Sequence, residues 1–422
     1  MGSRQPASLA PYRVLDLTGS IGALGGRVLA GLGADVIKVE RPGGDPSRAR
    51  GPFVGGKADP CRSIPWLFAN AGKRGISLNL EVSRGRDLLL ALVAAADFLI
   101  ESYPPGYMES IGLGYDRLSE INPALVMARV SPFGQTGPYR DYQATDIVTW
   151  ALGGHMALAG DADRPPVRPS APQSELLAGV HAAAGIMTAH YSRTRTGLGQ
   201  QVDVSMQECV TWTLMIAAQY WDINHINPKR GGAVRRTTRA DGSVLEHRAI
   251  WPCKDGFVLW ALGGGGQAGT LASTRALVAW MADEGVRDAP VELDWSQLGA
   301  AMMDQATYDR LSVPFLAFFA RHTRRELFEG SLKRSIQLAP INEIPDVASS
   351  PQLADREYWT DVDHPYLRTA LRLPGAPVKL SATPWRLPRP APRPGEHNAE
   401  VYGDLLGLDG AQVVELHRQG VI

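Results

Sequence analysis

The chain reads as an α/β protein, on three observations. Short apolar runs rich in β-branched residues recur through its first third, helix-length segments alternate with them, and glycines follow the first run where a strand would turn into a helix. Residues 12–17 (YRVLDL) and 34–40 (ADVIKVE) are runs of the buried parallel type, and the segment 22–33 between them completes a βαβ unit. The alternation continues with a helix over 86–96, a strand over 98–102, a helix over 115–121 and a strand over 125–130.

Further along, residues 176–191 (LLAGVHAAAGIMTAHY) form a small-residue run with only Gly179 and Gly185 as breakers, which predicts a buried, closely packed helix. A turn at 197–200 and a strand at 201–206 follow. The polar, basic stretch 224–248 reads as a linker or crossover. A second unit starts at Trp251, with a strand at 256–261 and a helix at 270–284. Five prolines in 384–394 (PWRLPRPAPRP) impose an extended strap, and helices at 399–406 and 409–419 can dock back on the first domain.

Composition narrows the function. The 422 residues are enough for two or three domains at about 150 residues each. Lys plus Arg number 43 and Asp plus Glu number 43, so no net field favours nucleic acid or an anionic membrane as a partner. The three cysteines, Cys61, Cys209 and Cys253, lack CxxC spacing, which fits a reducing compartment and supports no structural metal. The apolar run 88–100 is interrupted by Asp97 and is too short to span a bilayer, and residues 1–11 lack the apolar core of a signal peptide. A cytoplasmic location is expected.

Four motifs carry candidate chemistry. Gly19, Gly22 and Gly25 precede Glu40 as in a dinucleotide fold, but the spacing is GxxGxxG, and Arg41 beside Glu40 suits a phosphate better than a ribose diol. Nicotinamide binding, close packing of the first helix and another nucleotide-bearing ligand all stay open. The string WLFANAGKRGI places Asn70, Lys73 and Arg74 together, which suits phosphates and a purine edge, or a solvated turn. Gly263, Gly264, Gly265, Gly266 and Gln267 follow a strand. Such a run costs about 1 kcal/mol per glycine relative to alanine and favours a mobile loop or close backbone approach, with a flexible linker as the alternative. Glu175, after Pro172, heads the small-residue helix, where a carboxylate stays ionised and serves either as an ordinary first-turn glutamate or as a nucleophile. Trp66, Trp150 and Met206 read as core or as the lining of an apolar pocket.

Taken in order, the strings YRVLDLTG, GLGADVIKVERPGGD, ANAGKRGISLNL, GLGYDRLSEINPALVMARVSPFGQTGP, ALGGHMALAGDADRPPVRPSAP, RTRTGLGQQVDVSM, WPCKDGFVLW and GEHNAEV resemble the class III coenzyme A transferases, the CaiB/BaiF-type family. They run in family order across nearly the whole chain. The resemblance implies a Rossmann-like large domain built from both chain ends, a smaller α/β domain, and two chains interlocked as linked rings. The layout it implies is 1–224 for the first part of the large domain, 225–345 for the small domain, 346–394 for linker and strap, and 395–422 for the return to the large domain.

The resemblance also implies the chemistry: coenzyme A moves from an acyl-CoA to a carboxylic acid through anhydride and enzyme-thioester intermediates, with no permanently bound cofactor. Carried over by motif, Arg41, Asn70, Lys73, Arg74 and, on the ligand side, Ser131 meet coenzyme A, and the GGGGQ string is the active-site loop. The family nucleophile is an aspartate, and Glu175 in APQSELLAGVHAAAG stands in its place. Ser102 and Ser110 replace a usual asparagine and arginine, both at ligand-facing positions. The expected assembly is a homodimer or a heteromer with a homologous subunit, as in benzylsuccinate-type enzymes. The readings are a working transferase using Glu175, a non-catalytic partner subunit, an acyl-CoA racemase using Asp146, Glu175 or His181, and a scaffold that only holds coenzyme A. Thr145 stands where the family's racemases carry a histidine, which counts against the third.

Overall fold

The computed structural model describes residues 7–238, 243–263, 268–286, 288–298 and 303–422. The chain forms two compact units, one of Met1–His155, Arg168–Ile223 and Pro351–Ile422, the other of Met156–Val167 and Asn224–Ser350.

The first unit is built on six parallel strands. In chain order its elements are β1 (Arg13–Leu17), α1 (Ala23–Gly31), β2 (Asp35–Glu40), α2 (Ile64–Asn70), β3 (Arg74–Ser77), α3 (Ser83–Ala94) and β4 (Phe98–Glu101). They continue with α4 (Tyr107–Ser110), α5 (Tyr115–Ile121), β5 (Val126–Ser131), α6 (Asp146–Leu152), α7 (Gln173–Thr196), β6 (Gln201–Ser205) and α8 (Met206–Trp212). The sheet order is β3-β2-β1-β4-β5-β6, so the chain reverses its direction of winding between β1 and β4.

Strands β1, β2, β4 and β5 alternate their side chains between two cores, as the pleat requires. Leu15, Ile37, Leu99 and Met127 pack with Leu89 and Leu92 of α3 on one face. Val14, Val36, Phe98 and Val126 pack with Leu29 of α1 and with Ala178, Ala182 and Ile186 of α7 on the other. Glycines set the contact between α1 and α7. A Cβ on Gly25 would lie 2.8 Å from the carbonyl oxygen of Gly179, and one on Gly179 would lie 3.1 Å from the nitrogen of Gly25. Trp66, Trp150 and Met206 are core side chains.

The end of the chain seals the free edge of β3. Asn398 accepts from the amide of Ser77 (2.9 Å), His397 Nδ1 accepts from that of Gly75 (3.1 Å), and the Tyr402 hydroxyl donates to the Ser77 carbonyl (2.7 Å). An edge strand so covered offers no template for foreign pairing. The proline-rich strap lies along the same unit, with Arg386 N donating to Gly31 O (2.8 Å) and Gly72 N donating to Arg389 O (2.9 Å).

Several elements differ from the sequence reading. Residues 359–374, taken as linker, contain an antiparallel hairpin of Trp359–His364 and Thr369–Pro374. The stretch 224–248 holds a second hairpin, Val234–Thr238 with Val244–Arg248. Both are polar enough on their outer faces that the apolar alternation is faint. The second unit carries a three-stranded antiparallel sheet and an aromatic core that includes Trp251, Trp260, Trp295 and Phe315.

Candidate active site

In an open, doubly wound sheet the strand ends diverge where the winding reverses, and ligands bind in the resulting crevice. Such a crevice of about 940 Å³ opens at the carboxyl ends of β1 to β4, lined by Gly19, Glu40, Arg41, Asp45, Ser102 and Tyr103 among others. Gly22, at the head of α1, holds φ +84°, a value that favours glycine. Across the crevice the Gly19 amide donates to the Ser102 hydroxyl at 2.9 Å.

Glu40 is not free to hold a ribose. Arg48 donates to both its carboxylate oxygens (2.6 and 2.7 Å), the Asp45 amide adds a third bond (2.9 Å), and the Arg48 guanidinium lies 3.9 Å from the centre of the Trp66 ring. Arg41, by contrast, is exposed at the crevice wall.

Behind the first loop lies a buried charge cluster. Lys73 Nζ donates to Asp16 Oδ2 (2.6 Å), Asn70 Oδ1 (2.8 Å) and the Ala23 carbonyl (2.8 Å). Lys38 Nζ sits 3.5 Å from Asp16 Oδ1 and donates to the Thr18 carbonyl. Burial raises the Asp16 carboxyl, but the two lysines outweigh it and hold the group down at about 2. Burial draws Lys73 down to about 8 against the pull of Asp16, so both remain charged at neutral pH. Two lysines on one carboxylate leave one positive charge uncompensated within the cluster, behind the Leu17–Gly19 backbone that lines the crevice. Gly26 permits this packing, because a Cβ there would lie 2.2 Å from Asp16 Oδ2.

A second cavity of about 630 Å³ shares Ser20, Ile21 and Arg50 with the crevice and contains Glu175 and Arg168. Glu175 stands in the first turn of α7, a 24-residue helix whose positive end favours a carboxylate. The start of α7 is capped from a distance: Asp146 Oδ1 accepts from the Ser174 amide (2.8 Å) and hydroxyl (2.6 Å), and Thr149 donates to the Ser174 hydroxyl (2.8 Å). That anchors the residue immediately before Glu175. Arg50 Nη1 then donates to both Glu175 oxygens, at 2.8 and 3.0 Å.

The sequence-derived site residues therefore separate. Arg41 and Ser102 line the crevice, and Glu175 lines the adjoining cavity. Asn70 and Lys73 are buried behind it, their polar atoms bonded within the chain. Arg74 begins β3, at the end of the strand away from the crevice, and pairs with Asp35 (2.6 Å) and Glu400 (2.9 Å). Ser131 is buried at the end of β5 and accepts from the Gly134 amide (2.9 Å). The Ser110 hydroxyl donates to the Tyr107 carbonyl (2.7 Å). In the second unit the Gly263 carbonyl accepts from Thr274 (2.7 Å); Gly264, Gly265, Gly266 and Gln267 lie outside the described residues. Arg50 and Arg168 carry no motif of their own, and the sequence reading passes over both. No helix among the described residues is long and apolar enough to cross a membrane.

The sequence profile of CoA-transferase family III matches residues 9–398. Among curated proteins the chain is 37% identical over 418 residues to succinyl-CoA:(R)-benzylsuccinate CoA-transferase subunit BbsE of Thauera aromatica, covering 97% of each. It is 31% identical over 421 residues to succinyl-CoA:mesaconate CoA-transferase of Haloarcula hispanica, covering 97% of this chain and 99% of that one. Among solved structures, a CaiB/BaiF family protein from Brucella suis superposes with a TM-score of 0.79 at 28% identity, over 95% of this chain and 100% of that one. A doubly wound sheet with a crevice at its switch point, a carboxylate at the head of the small-residue helix and a match over nearly the full length agree, and the chain belongs to CoA-transferase family III.

Proposed function

We propose that this chain transfers coenzyme A from an acyl-CoA to a carboxylic acid, with Glu175 as the nucleophile. The observation that carries the reading is the placement of Glu175. Its carboxylate is held by Arg50 and the head of α7 in a cavity that shares three residues with the crevice at the sheet switch point. In this reading the nucleotide occupies the crevice against Arg41 and Ser102, with its phosphates drawn by the charge excess around Asp16. Asn70 and Lys73 act from behind the loop rather than by contact, Arg74 holds β3 to its neighbours, and Ser131 supports the loop after β5.

The chemistry runs in two halves. A Glu175 oxygen attacks the acyl-CoA carbonyl, a C–O bond forms, the C–S bond breaks and coenzyme A leaves as thiolate. The thiolate then attacks the Glu175 carbonyl of the mixed anhydride, and the original acid departs as carboxylate with the C–O electron pair. An enzyme thioester remains. The acceptor acid reverses the two steps, and no proton, metal or redox cofactor enters the balance.

The acids in this reading are dicarboxylic. Both relatives named above carry succinyl-CoA in their names, and Arg168 stands in the Glu175 cavity with no carboxylate partner among the described residues. Two interlocked chains, alike or unlike, form the assembly, with the proline strap returning the chain end to the large domain. A second reading, a non-catalytic subunit, is favoured by the word subunit in the name of the Thauera aromatica relative and by the replacement of aspartate by Glu175. Racemisation is disfavoured, because Asp146 is committed to capping α7 and His181 Nδ1 donates to the Leu177 carbonyl (2.8 Å).

The test is incubation with succinyl-CoA followed by borohydride or hydroxylamine and peptide mass spectrometry. A modified Glu175 supports the first reading. An unmodified chain that co-purifies from its source with a homologous subunit supports the second.

A further inference from the structure

Arg50 occupies the junction of the two cavities. It is a wall of the crevice and of the Glu175 cavity at once, in company with Ser20 and Ile21. Its main chain is fixed: the Arg50 carbonyl accepts from the Ser63 hydroxyl at 2.5 Å, and Ser63 also caps α2. Its side chain is not enclosed, being 41% exposed, whereas that of Glu175 is 12% exposed. A guanidinium on an anchored backbone with a free-standing side chain can change partners without moving the fold.

We propose that Arg50 is the carboxylate receptor of the transfer, holding Glu175 in the free enzyme and the carboxylate of the substrate acid once Glu175 has become a thioester. The inference rests on the reading of Glu175 as nucleophile and adds to it the group that binds the acid. Charge balance drives the exchange. Free Glu175 carries one negative charge, which Arg50 neutralises through Nη1 at 2.8 and 3.0 Å. Conversion to the thioester removes that charge. Arg50 is left as an unpaired cation, and in the same step a new carboxylate, that of the departing acid, is released next to it.

Five N–H donors in a planar fork match a carboxylate, and the carboxylate so held presents an oxygen towards the thioester carbonyl that the next acid must attack. The cavity thus offers the acid its anchor only when there is a thioester to receive it. In the free enzyme Glu175 neutralises the guanidinium through Nη1, so the acid and the enzyme's own carboxylate compete for its charge. An acid that binds only the thioester form gives the alternation of donor and acceptor without any domain motion.

The test separates the two half-reactions. Wild type, Arg50→Gln and Arg50→Lys are loaded with succinyl-CoA, the thioester is quantified by mass spectrometry, and its discharge is followed against succinate concentration. Half-saturating succinate raised at least tenfold for the thioester that Arg50→Gln accumulates, at whatever rate that thioester forms, and partly restored in Arg50→Lys, is the expected result. Slow thioester formation with unchanged succinate saturation would mean that Arg50 only positions Glu175, and overturns the inference alone. Absence of any thioester in wild type overturns the reading of Glu175, and the inference with it. A measurement on wild type guards against misfolded variants. Phenylglyoxal is expected to modify Arg50 several-fold faster in the thioester enzyme than in the free enzyme, and succinate to suppress that gain. Equal rates in the two forms overturn the exchange.

Discussion

The backbone amide of Gly19 and the side-chain hydroxyl of Ser102 meet at 2.9 Å, joining the loop after β1 to the loop after β4 across the point where the sheet reverses its winding. The bond holds the two walls of the crevice at a fixed separation, so its loss should act on ligand affinity more than on stability. Ser102→Ala leaves the Gly19 amide without this partner, at a cost of about 1 kcal/mol. The expected outcome is a coenzyme A dissociation constant raised about fivefold by calorimetry, with a melting temperature within about 2 °C of wild type. Ser102→Thr, which keeps the hydroxyl, should bind as wild type does.

Acid stability should report the buried cluster. The Asp16 carboxyl, normally at 3.8, is held at about 2 in the fold because Lys73 and Lys38 outweigh the opposing effect of burial. A carboxyl with a depressed value contributes stability that is present above its unfolded value and is lost as pH falls through the folded one. The window is therefore from about pH 4 down to about pH 2, and the contribution is about 2 kcal/mol. In urea titrations at pH 6, 4 and 3, the difference between wild type and Asp16→Asn should narrow as the pH drops. A constant difference across the series would show that Asp16 is not the group responsible.

The length of the residue 175 side chain should matter. Glu175 reaches Arg50 with both oxygens at hydrogen-bond distance, a fit that a side chain one methylene shorter cannot keep without movement of α7. The helix is anchored by the Asp146–Ser174 cap and by the Gly25–Gly179 contact, so it has little freedom to follow. A displacement near 1 Å can cost up to about 100-fold in rate. Glu175→Asp is therefore expected to load coenzyme A about 10- to 100-fold more slowly, and Glu175→Gln not at all. Faster loading by the aspartate variant would mean that the pocket has not adapted to glutamate.

How much of this is legible in the sequence depends on how far apart the partners lie. Strands β1, β2, β4 and β5 announce themselves because a strand buried on both faces is a continuous apolar run. Strand β3, RGIS, has two residues that argue against it and is secured by Asn398 and His397, more than 300 positions away. Glu175 can be placed at the head of a helix from its own neighbourhood. Its partner Arg50 is 125 positions distant, in a string already crowded with cations, and nothing local marks it out. Lys73 illustrates the opposite case. Its neighbourhood suggests an exposed phosphate ligand, but Asp16, 57 positions earlier, draws it into the interior.

Arg168 should govern the choice between acids with one and two carboxylates. It shares the cavity of Glu175, and among the described residues it has no carboxylate within ion-pair distance, its side chain donating only to the adjacent Pro169 carbonyl at 3.4 Å. A dicarboxylic acid held by Arg50 at one end would bring its second charge into the same space. Because Arg168 is exposed, solvent screens the interaction, and it should amount to about 1 kcal/mol rather than the larger value of a buried pair. Arg168→Gln is expected to raise the KM for succinate about fivefold and to leave that for butyrate, which has the same chain length and a single charge, unchanged. Equal effects on the two acids would show that Arg168 shapes the cavity without reading the second carboxylate.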